Sequence, residues 1–213
     1  MSEFDLDILD GPGKRLTQAE RAALSDSRMF AAAIALIDKQ GTHNTTLKDV
    51  SEYAGYSRSM ASSRFGSKES LFLELQKKYS EIWQRHLATA VGESTGLDAF
   101  VSANRGVISF YEKEERFVRV MYIISYELIG SSEEMKNMLK RRHEIYRTAV
   151  VRWMEEGIED GSVKSSVDPE KIAKLYNTGI FGSIFQWLIN SDGFDLSEAL
   201  ADLREDILEL VQT

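Results

Sequence analysis

The stretch Gly41–Leu71, GTHNTTLKDVSEYAGYSRSMASSRFGSKESL, holds two short helical patterns joined by a glycine turn, and only the first has an apolar face. Thr46 and Asp49 form a capping-box pattern, in which each side chain satisfies the other residue's backbone N–H at a helix start. Leu47, Val50 and Ala54 then line one side of a helix that Gly55 ends. The next helix is read from Ser57, as its N-cap, and its side chains are small, polar or basic. A helix without an apolar face of its own makes sense when its outer edge enters the DNA major groove. There Ser and Arg hydrogen-bond base edges, whereas bulky apolar groups would collide with them. Base contact is accordingly assigned to Arg58, Ser59, Met60 and Ser63, with the cap Ser57 counted among the DNA-binding residues. Phosphate contact is assigned to Arg64, Lys68 and the hydroxyls of Thr45 and Thr46.

Working outward, Thr17 and Glu20 offer a capping box before the stripe Phe30, Ala33, Ile34 and Ile37, and Gly41 follows as a stop. Ser67 caps a longer helix with the stripe Leu71, Phe72, Leu75, Tyr79, Ile82 and Trp83. Three more helices are expected between Leu97 and Gly161, with breaks near 112–115 and 130–133. The middle one contains FVRVMYIISY, whose β-branched and aromatic content suits a strand. Phe117, Val120, Met121, Ile124 and Leu128 nevertheless keep helical spacing. Asp168-Pro169 supplies an N-cap and N1 pair for a helix to about Asn190 that is apolar all round and expected to be buried. Asp195 with Glu198 starts the last helix, where Leu196, Leu200, Leu203, Ile207 and Leu210 form a narrow seam. The fold class is therefore all-α. A tail, expected to be flexible, covers 1–16, a helix-turn-helix domain 17–66, and a larger helical domain 67–213.

Net charge is −8, which at first argues against nucleic acid, but residues 11–78 carry 11 bases against 7 acids while 79–213 carry 15 against 23. There is no Cys, hence no disulfide, thiolate metal site or cysteine nucleophile, and a reducing cytoplasm is the expected location. No apolar run reaches the roughly 18 residues of a membrane span, so no membrane partner is expected. The three His residues, 43, 86 and 143, lack metal-binding spacing, and no glycine-rich phosphate loop or nucleophile elbow occurs. No catalytic residue, metal or cofactor is expected.

The segment Met29–Phe72 resembles the N-terminal domain of TetR/AcrR-type transcriptional regulators. Gly41, Thr45-Thr46, Val50, Ala54-Gly55, Ser57, Phe65 and Ser67-Lys68-Glu69 match in register. The sequence departs from that family at Ser62 and Arg64, where an aromatic and a histidine are usual, and at Tyr56, where an aliphatic residue is usual. The resemblance implies a ligand-responsive repressor of a palindromic double-stranded operator. It also implies homodimerisation through the last two helices, about 169–190 and 196–211. An unknown small-molecule effector is expected among the aromatic and polar side chains of the larger domain: Phe100, Asn104, Phe110, Tyr122, Tyr126, Glu127, Tyr146, Asn177, Phe181 and Gln186. Tyr and Asn also occupy ordinary cores. A helical sensor or protein-interaction module that has lost DNA binding is the alternative.

Overall fold

A computed structural model describes residues 17–212. Among them the order is α1 (Gln18–Gln40), α2 (Leu47–Tyr53), α3 (Met60–Phe65), α4 (Lys68–Val91), α5 (Gly96–Lys113), α6 (Glu115–Leu128), α7 (Glu133–Asp160), α8 (Pro169–Ile189) and α9 (Leu196–Val211). The expected tail, 1–16, lies outside the described residues. No described helix is long and apolar enough to cross a membrane.

The caps form where the sequence places them. Thr17 and Glu20 close a reciprocal capping box at α1, and Thr46 and Asp49 another at α2. The Asp168 side chain accepts from two backbone N–H groups ahead of α8, and Asp195 does so for Glu198 at α9. The strand-like run is helical, as α6: Phe117, Val118, Val120, Met121 and Ile124 are all buried, so tertiary burial overrides local β preference.

The chain divides into two compact units. One comprises the helices up to Tyr79 together with 113–135. Its core is built on Met29, Phe30, Ile34 and Ile37 of α1, Val50 of α2, Phe65 of α3, Leu71, Phe72 and Leu75 of α4, and Val118 and Ile124 of α6. The Phe30 and Phe65 rings meet at 5.7 Å, fastening α3 to α1. Helix α6 lies on α1, where Arg116 pairs with Asp38 at 3.2 Å.

The other unit comprises 80–112 and 136–213. Trp83, Phe100, Phe110, Trp153, Tyr176, Ile184, Leu200 and Ile207 form its core. α8 and α9 pack closely because Gly179 has no side chain. A Cβ there would stand 2.7 Å from a Leu203 methyl.

Two expectations need correction. α3 begins at Met60, not after a Ser57 cap: Ser57–Met60 is a tight turn closed by the Met60 N–H donating to the Ser57 carbonyl at 2.9 Å. Without an apolar face to bury, the first turn has nothing holding it in α-helical form. α8 is apolar all round but not buried all round, since Leu175, Phe185 and Ile189 on its far side are 46%, 51% and 70% exposed. A single chain supplies α9 as one partner for α8, and the opposite face is covered only in part.

Candidate DNA interface and sensing region

The α2–turn–α3 unit is held together by one serine that the sequence reading passed over. Ser51, 0% exposed, donates its hydroxyl to the Leu47 carbonyl at 3.0 Å and accepts from the Ala61 N–H at 2.9 Å. It thereby satisfies a donor near the start of α3 that would otherwise be buried and unpaired. Gly55, at φ +80°, allows the chain to reverse between the two helices. Ser51→Ala is expected to lower unfolding free energy by about 1–3 kcal/mol, the cost of an unpaired buried N–H, as read by chemical denaturation. A loss below about 0.5 kcal/mol would deny Ser51 this role.

α3 turns only Ala61 and Phe65 fully inward; Ser57, Arg58, Ser59, Ser62, Ser63 and Arg64 are exposed and Met60 is half-buried. The edge is therefore polar, with two cations. Arg58 Nε donates to Glu52 Oε1 at 2.6 Å, between side chains 75% and 41% exposed. Such a surface pair is worth about 0–1 kcal/mol and yields readily to a phosphate. Arg64 is fixed more firmly, its Nε and Nη2 donating to the two Asp26 oxygens at 2.7 and 2.6 Å, with its guanidinium 5.6 Å over the Phe65 ring. That carboxylate raises the proton affinity of Arg64 further.

The remaining proposed contacts are placed differently from one another. Thr46 is exposed but serves as the α2 cap, donating to Asp49 Oδ2 at 2.6 Å, and its hydroxyl and then its N–H hold the Asp49 carboxyl below its ordinary range. Thr45 is 1% exposed and its hydroxyl donates to the Gly41 carbonyl at 2.8 Å, so it supports the turn from inside. Lys68 opens α4 behind the Ser67 cap, where the Ser70 N–H reaches Ser67 Oγ at 3.0 Å. The Lys68 ammonium donates to the Thr42 carbonyl at 3.0 Å.

The residues expected to sense a ligand fall into both units. Tyr122, Tyr126 and Glu127 are on α6 in the first, where the tyrosine rings lie 6.4 Å apart and Glu127 accepts from the Thr42 hydroxyl. Phe100, Asn104, Phe110, Tyr146, Asn177, Phe181 and Gln186 are in the second. There Asn104, 0% exposed, donates to Tyr176 Oη at 3.0 Å and the Leu200 carbonyl at 3.1 Å, and accepts from Arg204 at 3.3 Å. Burial pushes the Tyr176 phenol up, and the Asn104 bond opposes this. Phe100 meets Tyr176 at 4.8 Å, and Phe181 stacks on His143 at 4.2 Å. Phe110 and Tyr146 flank Trp83 at 5.1 and 6.1 Å. The sequence reading missed the indoles here: Trp83 and Trp153 are 5% and 4% exposed, and neither Nε1–H has a hydrogen-bond partner. Only burial without a partner marks such a donor, and sequence does not carry that signal.

Residues 30–75 match the profile of the bacterial regulatory proteins of the tetR family, and 107–213 match that of the C-terminal region of MAATS-type transcriptional repressors. The acrEF/envCD operon repressor of Escherichia coli K12 is 22% identical over 201 residues, covering 91% of this chain and 89% of the repressor. Among solved structures, the SmeT–triclosan complex superposes with TM-score 0.73 at 16% identity, covering 89% of this chain and 92% of the other. SmeT is the repressor of the Stenotrophomonas maltophilia multidrug efflux pump SmeDEF. A Saccharomonospora viridis transcriptional regulator in complex with choline gives TM-score 0.75 at 14% identity, covering 90% and 99%.

Proposed function

From the premise that this chain belongs to the tetR family of bacterial regulatory proteins, and is thus a ligand-responsive, DNA-binding transcriptional repressor, we propose how its residues divide that work. Residues 17–66 form the DNA-reading head and 67–213 the sensing and dimerising body. Arg58, Ser59, Met60 and Ser63 face base edges with Ser57 beside them on the DNA, and Arg64, Lys68 and Thr46 face phosphates, with Thr45 bracing the turn behind them. The observation that carries this is the exposed polar edge of α3, backed by inward Ala61 and Phe65.

Two copies pair through the open faces of α8 and α9. Leu175, Phe185 and Ile189 share one side of α8, and Leu210 on α9 is 54% exposed. Apolar surface of this kind is retained where a partner covers it. A two-fold axis would then set two recognition helices on half-sites of a palindrome, about one DNA turn apart. The effector, a small organic molecule as in the triclosan and choline complexes of similar proteins, binds in the second unit. There it would give the Trp83 or Trp153 indole the acceptor it lacks. Release requires that the effector fit better when the heads are off operator spacing, because equal affinity for both arrangements shifts nothing. The protein would act on DNA in the cytoplasm.

A gel-shift titration against DNA upstream of the chain's own gene tests the reading. Log affinity is expected to fall against log salt by about 0.9 per neutralised phosphate, and Arg64→Ala should lower that slope by about one such step. A salt-independent affinity, or none, removes DNA binding and leaves a helical sensor acting through protein contacts.

A further inference from the structure

We propose that Glu127 is a positioning residue for the DNA-facing turn between α1 and α2, and not a ligand contact. The proposal rests on the DNA-binding reading above for its consequence, but the geometry stands without it. The turn is closed on itself: Gln40 Nε2 donates to the Asn44 carbonyl and Asn44 Nδ2 to the Gln40 carbonyl, each at 2.9 Å. Thr45 adds its hydroxyl to the Gly41 carbonyl at 2.8 Å and its N–H to the Thr42 carbonyl at 3.1 Å. A loop with its polar groups so engaged moves as a block.

Two side chains from other helices take hold of that block, and both hold Thr42, which is 7% exposed. Lys68 Nζ donates to its carbonyl at 3.0 Å, and its hydroxyl donates to Glu127 Oε2. With Thr45 N–H and Lys68 on the carbonyl, both lone pairs of that oxygen are filled. Glu127 sits in the last turn of α6, itself fixed within the same unit. Gln76, 0% exposed, donates to the Met121 carbonyl at 2.6 Å and Ser125 Oγ at 3.0 Å, and Arg116 pairs with Asp38. The chain leaves the block at Thr46, the α2 cap, and α2 orients α3 through Ser51. The tether thus sets where the phosphate-facing turn stands on α6, and through it the recognition edge.

A carboxylate beside a DNA-facing surface repels phosphate, so its charge works against binding while its acceptor oxygen works for it. Substitutions separate the two. Glu127→Gln keeps an acceptor for the Thr42 hydroxyl and removes the charge; Glu127→Ala removes both; Thr42→Val removes the donor and leaves the carbonyl for Lys68. With full-length dimer on operator DNA at fixed salt, Glu127→Ala and Thr42→Val are each expected to weaken binding about 5- to 30-fold. The double variant should do no worse than either single one, and Glu127→Gln should stay within about twofold of the parent. Amide exchange at Thr45 should quicken in the Ala and Val variants and not in Gln, with circular dichroism unchanged in all. Tighter operator binding in both Gln and Ala would overturn the proposal in favour of plain repulsion. Unchanged affinity and exchange with an altered effector response would return Glu127 to the ligand. If the parent protein binds no DNA, the repressor reading fails by itself. The exchange comparison then decides alone: quickened exchange in Glu127→Ala supports the tether, and unchanged exchange overturns it.

Discussion

Phe185→Glu combined with Ile189→Glu is expected to give a folded monomer whose operator affinity is lower by about 10²–10⁴-fold, the advantage of engaging two half-sites together. Both side chains are at least half exposed in the single chain, so the exchange removes only part of their burial and should lower monomer stability by about 1–3 kcal/mol. In a two-fold interface the same carboxylates would be buried without partners and would face their own copies, which is strongly unfavourable. Light scattering reads the mass, and fluorescence anisotropy on a labelled operator reads the affinity. A variant that stays dimeric with unchanged affinity would move the interface off α8. A dimer that persists but no longer binds DNA would point instead to an altered spacing of the heads.

Asn104→Ala is expected to destabilise the second unit by breaking a buried polar network. It strips the donor from two buried acceptors, Tyr176 Oη and the Leu200 carbonyl, and the acceptor from Arg204. Tyr176 Oη is left without a partner at about 1–3 kcal/mol. Arg204 keeps Glu205 and the Leu200 carbonyl keeps its place in the α9 ladder, so the loss should total roughly 1–3 kcal/mol. At about 2–4 °C per kcal/mol for a chain of this size, the melting temperature should fall by about 2–12 °C. Tyr176→Phe should cost less, because the Asn104 amide keeps the Leu200 carbonyl as an acceptor. The two changes should also be non-additive, since they share one network. Additive, small losses would show that Asn104 does not tie α5 to α8 and α9.

Several parts of the α2–α3 region were legible in order of residues alone, because helix starts, glycine stops and apolar spacing are local properties. Thr46 and Asp49 cap each other across three residues, and Gly55 supplies the positive φ that lets the chain turn after α2. Ser51 was not legible. A serine within a short helix is ordinary in sequence, and its value lies in meeting the Ala61 N–H of another helix. Thr45 and Thr46 are adjacent and chemically alike, yet one is buried with its hydroxyl on the Gly41 carbonyl and the other is exposed as the α2 cap. Glu127 looked like a polar group in an apolar run and proves to reach Thr42, 85 positions away.

By itself the sequence determined that the chain is helical, where most helices begin and end, that the α3 edge is polar and that the excess of bases over acids sits in residues 11–78. Tertiary structure alone decided which polar groups are spent on the fold, as Asn104 and Thr45 are, and which buried donors lack acceptors, as the Trp83 and Trp153 indoles do. It also decided that α8 shows one apolar face to its own chain and another outward. The physical reason is range. Caps, turns and helical periodicity are set within about four residues, whereas hydrogen-bond satisfaction and burial depend on groups brought together from distant positions, which no local pattern encodes.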